Sequence, residues 1–129
     1  MPKRILIVDD QRHVRTLLEG ALEPLLDLGI ELAASESGAE AIAAARERAP
    51  DLALVDWNMP GVSGAQVCSA LRQLATGTPP HIIVLGEKGR EDERIHALAA
   101  GADDFTVKPF DPDDVLDRVA AALGLEPRI

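Results

Sequence analysis

Five short apolar runs, spaced by helical patterns, constrain this chain more than anything else in it. They are ILIV at 5–8, IELAA at 30–34, LALV at 52–55, HIIVL at 81–85 and DFTV at 104–107. Three are nearly all apolar, as strands covered on both faces are. Val14, Leu17, Leu18, Ala21, Leu22 and Leu25 follow the three-to-four spacing of a helix face, which Pro24 kinks or ends. Ser37 with Glu40, and Ser63 with Gln66, are capping-box pairs. A fourth helix begins near Arg90 and runs to Gly101; Asp111 caps a fifth, with Pro112 at its first position. Val115, Leu116, Val119 and Leu123 face inward from that last helix.

Strands alternating with helices predict an α/β fold: a doubly wound, five-stranded parallel sheet, (βα)5, with helices on both faces. The 129 residues suit a single domain, with a core over about 3–123 and a short tail over 124–129. The net charge of −9 argues against a direct nucleic-acid partner. MPKRILIVDD reads as no signal peptide, and no apolar run is long enough for a membrane span. Cys68 stands alone, which fits a reducing, cytoplasmic setting.

In open parallel sheets, ligands bind beyond the carboxyl ends of the strands. The first run ends in Asp9 and Asp10, the third in Asp56, the fourth in Gly86 and Glu87, and the fifth in Lys108 and Pro109. Three carboxylates on one rim repel one another and need counter-charge. Lys108 supplies one positive charge; a divalent ion supplies two, and an all-oxygen set suits Mg²⁺, or Mn²⁺. Carboxylate, divalent ion and ammonium around one small space suit a phosphoryl group better than a sugar or a hydride. Asp10, next to a helix start, has a plain alternative as an N-cap, and Asp9 with Lys108 as a partly buried ion pair.

At IVDDQ, LVDWNMPGVSG, AGADDF and VKPF the chain resembles the receiver domain of two-component response regulators, from Lys3 to about Leu123. The resemblance implies a flavodoxin-like strand order 2-1-3-4-5. It implies Asp56 as phosphoacceptor, and Asp9, Asp10, Asp56 and the Asn58 backbone carbonyl as Mg²⁺ ligands. Lys108 and the Glu87 backbone N–H would contact the phosphoryl group. Phe105 matches the switch aromatic, and Pro109 follows the family's usual cis bond. A sensor histidine kinase or histidine phosphotransfer protein would be the donor. A downstream protein would dock on the face of the fourth helix, fifth strand and fifth helix. The chain would act as a monomer or weak dimer and turn over no metabolite.

One position departs from the family pattern. Where a Thr or Ser and then a small residue are usual, Gly86 and Glu87 stand, so the hydroxyl that bonds a phosphoryl oxygen is missing. Loss of one such bond removes roughly 1.5–3 kcal/mol of the roughly 5.5 kcal/mol needed for near-complete switching. The expectation is an incomplete switch, with Phe105 serving as filler. GEKGRED, with two glycines and many charges, reads as a mobile loop. The alternative is a pseudo-receiver, a binding module that works without phosphorylation. A haloacid-dehalogenase-type hydrolase places its nucleophile after the first strand, not the third. A flavodoxin-like carrier needs a phosphate loop where DDQRH stands.

Overall fold

The computed structural model describes residues 2–75 and 77–125. Five parallel strands, β1 (Arg4–Val8), β2 (Glu31–Ser35), β3 (Leu52–Asp56), β4 (His81–Glu87) and β5 (Asp104–Lys108), stand in the order β2-β1-β3-β4-β5. Six helices connect them: α1 (Arg12–Ala21), α2 (Glu23–Leu26), α3 (Gly38–Glu47), α4 (Gly64–Leu74), α5 (Glu91–Ala99) and α6 (Pro112–Ala122). The order places the switch point between β1 and β3, which lead in opposite directions across the sheet.

Side chains alternate along each strand and fill two cores. Ile5, Ile7, Leu52, Leu54, Ile83 and Leu85 meet α1 and α6. Leu6, Val8, Ala53, Val55, Ile82, Val84 and Phe105 meet α3, α4 and α5. Cys68 is fully buried in the second core, and burial pushes its thiol up to about 11, so it packs as a small hydrophobe.

The helix starts follow the sequence. Ser63 Oγ accepts from the Gln66 N–H at 3.2 Å, and Gln66 Oε1 accepts from the Ser63 N–H at 2.9 Å, a complete capping box. The Ser37 pair is only half formed: Ser37 Oγ accepts from the Glu40 N–H, but Glu40 Oε1 turns to the Glu36 N–H. Asp111 caps α6 by accepting from the Asp113 N–H at 2.9 Å.

The break expected at Pro24 is present, and three other expectations change. The first helical pattern is two helices, because Pro24 lacks an N–H and a continued α1 would press its ring on the carbonyl of Gly20; α1 stops at Ala21 and α2 restarts at Glu23. Leu17 keeps helical spacing yet is 52% exposed, since the apolar stripe is wider than the face that α1 buries. Asp10 is exposed and is not the N-cap; Gln11 holds that position without a side-chain bond. Gly86 and Glu87 belong to β4, paired with Val107 and Lys108, so only 88–90 of GEKGRED lie between elements.

AGADDF is structural. Arg72 on α4 donates to the Gly101 carbonyl, to the Pro80 carbonyl at 2.6 Å and to Asp103 at 2.6 Å. Asp103 also accepts from the Ile82 N–H at 2.8 Å, so this knot fixes the entry of β4 and β5. Asp104 takes two bonds from Arg118 of α6.

Candidate functional site

β1 and β3 are hydrogen-bonded neighbours, so their carboxyl ends bring Asp9, Asp10 and Asp56 to one rim. One oxygen from each lies within 4.8 Å of the others. Asp9 is fully buried and Asp56 is 3% exposed. Asp9 is held from both ends: Oδ1 accepts from the Gln11 N–H at 2.9 Å, and its carbonyl accepts from Arg15 Nη1 at 2.8 Å. Asp56 Oδ1 accepts from the Asn58 N–H at 3.2 Å.

Lys108, at the end of β5, reaches over this rim. Its Nζ stands 2.8 Å from Asp9 Oδ2 and 3.3 Å from Asp56 Oδ1, and donates to Gln11 Oε1 at 3.4 Å. Lys108 thus pairs with Asp9 and Asp56 and leaves the exposed Glu87 side chain unclaimed by it. The Lys108–Pro109 peptide bond is cis.

Burial, then the charge of Asp9, pushes the Asp56 carboxyl up from its ordinary 3.8 to about 7, against the opposing pull of Lys108 and the Asn58 N–H. Burial also works against the Lys108 ammonium. The close contact with Asp9 and the charges of Asp56 and Asp9 outweigh it and hold the ammonium above its ordinary value.

This rim fits a divalent cation. Its donors are all oxygens, they cluster, and buried Asp9 Oδ2 has no well-directed hydrogen bond, only the ionic contact with Lys108. A protonation consequence follows. Between pH 4 and 7 folded metal-free protein holds a proton on Asp56 that the unfolded chain has released. Its contribution to stability is complete below 3.8 and is lost as pH rises through about 7. The slope reaches at most about 1.4 kcal/mol per pH unit. Urea midpoints in EDTA are expected to fall from pH 5 to pH 8, and Asp56→Asn to remove most of that fall. An unchanged slope in the variant refutes the assignment.

Two residues at the end of β4 complete the picture. A Cβ on Gly86 would collide with Phe105 Cζ, lie 2.7 Å from Phe105 Cε1 and 2.9 Å from Glu93 Oε1. Phe105 is 8% exposed and part of the core. Glu93, in the first turn of α5, is the residue that sequence reasoning missed. It is 2% exposed and bonds the Glu87 N–H and the Asn58 side chain. Nothing in the local pattern separates it from the solvent-facing Glu91 and Asp92 beside it.

The fold and rim define a doubly wound α/β protein with an acidic site, paired to one lysine, at the switch point. The sequence matches the response regulator receiver domain family over residues 5–120, and the chain belongs to that family. It is 41% identical over 123 residues to the phosphate regulon transcriptional regulatory protein PhoB of Rhizobium meliloti, covering 95% of this chain and 53% of that protein. It is 42% identical over 120 residues to the transcriptional regulatory protein ResD of Bacillus subtilis, covering 93% and 48%. The chain therefore spans about half the length of these curated relatives. Among solved structures, it resembles the chemotaxis protein CheY4 of Vibrio cholerae, with a TM-score of 0.82 and 27% identity over 95% of this chain and 99% of that one. A CheY-like receiver domain protein from Methanospirillum hungatei gives a TM-score of 0.83 and 27% identity, over 96% and 95%. The protein is thus a receiver domain of two-component signalling. Among the described residues, no helix is long and apolar enough to cross a membrane.

Proposed function

We propose that this receiver accepts a phosphoryl group on Asp56 from a phosphohistidine of a sensor kinase or phosphotransfer protein. The observation that carries the reading is the placement of Asp56: buried, at the end of β3, with the Lys108 ammonium 3.3 Å away and two further carboxylates in reach. An Asp56 carboxylate oxygen attacks phosphorus in line. A new O–P bond forms, the donor's N–P bond breaks, and its electron pair stays on the departing imidazole. Lys108 holds one oxygen of the transferring group by charge.

Asp9, Asp10, Asp56 and the Asn58 carbonyl would hold Mg²⁺, or Mn²⁺. When bound, that ion neutralises charge on the phosphoryl oxygens. The donor protein is suited by the ground beside Lys108. An apolar groove of about 430 Å³ lies there, lined by His13, Leu17, Pro109, Phe110 and Pro112, and Leu17 is 52% exposed. An exposed apolar side chain beside a reactive rim favours a protein partner. Output runs through the α5–β5–α6 face to a downstream protein, and this receiver module is cytoplasmic, monomeric or weakly dimeric, and turns over no metabolite.

The test is phosphoryl uptake. With Mg²⁺ and acetyl phosphate or phosphoramidate, the intact mass is expected to rise by one phosphoryl group, and not in Asp56→Ala. A second reading, the pseudo-receiver, is favoured by one observation: Glu93 already occupies the Glu87 N–H. Magnesium binding without uptake from any donor would establish it.

A further inference from the structure

Receiver chemistry asks the end of β4 to offer its backbone to an incoming anion. In this protein that backbone is already taken. Glu93 Oε1 accepts from the Glu87 N–H at 2.8 Å, and Oε2 accepts from Asn58 Nδ2 at 2.9 Å. Glu87 pairs in register with Lys108, and Asn58 follows Asp56 by two residues, so both donors stand on the rim around the acceptor. A carboxylate that is 2% exposed is expensive to bury unless such donors satisfy it.

The space that Glu93 uses exists because residue 86 is glycine. A Cβ there would lie 2.9 Å from Glu93 Oε1 and collide with the Phe105 ring. A hydroxyl-bearing side chain, the usual occupant, and the present Glu93 position exclude each other.

We propose that Glu93 is an internal ligand of the phosphoryl-recognising backbone, displaced when Asp56 is phosphorylated. This rests on the reading of Asp56 as phosphoacceptor. A phosphoryl group and the Glu93 carboxylate are both anions and compete for one N–H. When the phosphoryl group takes it, Glu93 is repelled and the Asn58 contact goes with it. The first turn of α5 is then untied from the loop after β3. Arg90, its N-cap, makes no side-chain bond to the backbone of that turn; among the described residues its guanidinium pairs only with Asp92 within the turn, at 3.4 Å, and ties it to no other element. Switching in this protein is thus driven by release of an acid from α5, not by capture of a hydroxyl.

The test uses the whole chain, with Mg²⁺ and acetyl phosphate, as wild type, Glu93→Gln and Glu93→Ala. Circular dichroism checks the fold, and Asp56→Ala sets the background. Initial uptake by intact mass is expected to rise about tenfold in both variants, the factor matching loss of one charge-assisted bond. Amide exchange over 87–94 is expected to speed up on phosphorylation of wild type and to be fast beforehand in Glu93→Ala. Uptake by wild type with both variants at the same rate, and unaltered exchange over 87–94, overturns the displacement while leaving Asp56 as acceptor. Uptake by the variants but not by wild type also overturns the displacement, since Glu93 then blocks the site and is never released from it. No uptake by any of the folded proteins sinks the acceptor reading and the displacement together.

Discussion

Replacing Gly86 with threonine is expected to destabilise the protein by about 1–3 kcal/mol, the usual cost of forcing extra atoms into a filled core. By propensity alone the change should help, since glycine weakens a strand and a β-branched residue suits one. The cost is therefore steric, and its source is named. The new Cβ meets the Phe105 ring and the Glu93 carboxylate. The carboxylate ends a flexible side chain, but the Phe105 ring is rigid and belongs to the second core, paired in register with Val84. Chemical denaturation of Gly86→Thr, Phe105→Ala and the double variant forms a cycle. The two changes are expected to couple by about 0.5–3 kcal/mol, the double variant costing less than the sum. Additive costs would mean that Phe105 does not fill the place of the missing side chain. Restoring the family's usual residue is thus no simple repair: threonine at 86 requires Phe105 and Glu93 to move first.

Loss of Lys108 is expected to cost about 3 kcal/mol at pH 8 in EDTA, because breaking a buried ionic contact leaves carboxylates without their cation. Lys108 Nζ is 2.8 Å from Asp9 and 3.3 Å from Asp56, and both acids are almost wholly buried. The sign with pH follows from Asp56. Lys108 lowers the pKa of that carboxyl, so Lys108→Ala raises it further above about 7. At pH 5 Asp56 carries its proton with or without the lysine, and the cost shrinks to that of stranding Asp9. Above pH 7 wild type ionises Asp56 beside the ammonium, whereas the variant must either keep the proton or set two carboxylates side by side uncompensated, so the cost is largest. Mg²⁺ is expected to restore most of the loss by binding the folded state alone, worth about 2.7 kcal/mol at one hundred times its dissociation constant. Urea midpoints of wild type and Lys108→Ala at pH 5 and 8, with EDTA or Mg²⁺, decide it. A pH-independent cost that Mg²⁺ leaves untouched would show that Lys108 is only packing.

Both results concern the same economy. Asp9 and Asp56 are buried, like-charged and held together by the fold, which stability alone would not select. The rim stores repulsion that a cation or a proton relieves.

Much of this was legible along the chain, because it depends on neighbours in sequence. Alternation and helical spacing gave the five strands and most helices. Acids and a lysine stand where apolar runs stop, and a parallel sheet must gather those ends on one edge. Asp9, Asp10, Asp56 and Lys108 could therefore be named before their distances were known. The missing hydroxyl at Gly86 was visible as well.

What the sequence could not decide depended on which distant side chains compete for one space. Leu17 has the spacing of a core residue, but α1 leaves it in solvent because burial is set by the partner surface, not by periodicity. β4 continues through Glu87 because β5 is there to pair with it. Glu93 reads as one more acid on a charged helix start. Only the docking of α5 on the sheet brings it to Asn58, 35 residues away, and to the open N–H of Glu87. Residue 86 as glycine is a fact of sequence. That a phenyl ring and a carboxylate fill its place is a fact of packing, since in a close-packed interior the shape left by one residue is taken by whichever neighbours reach it.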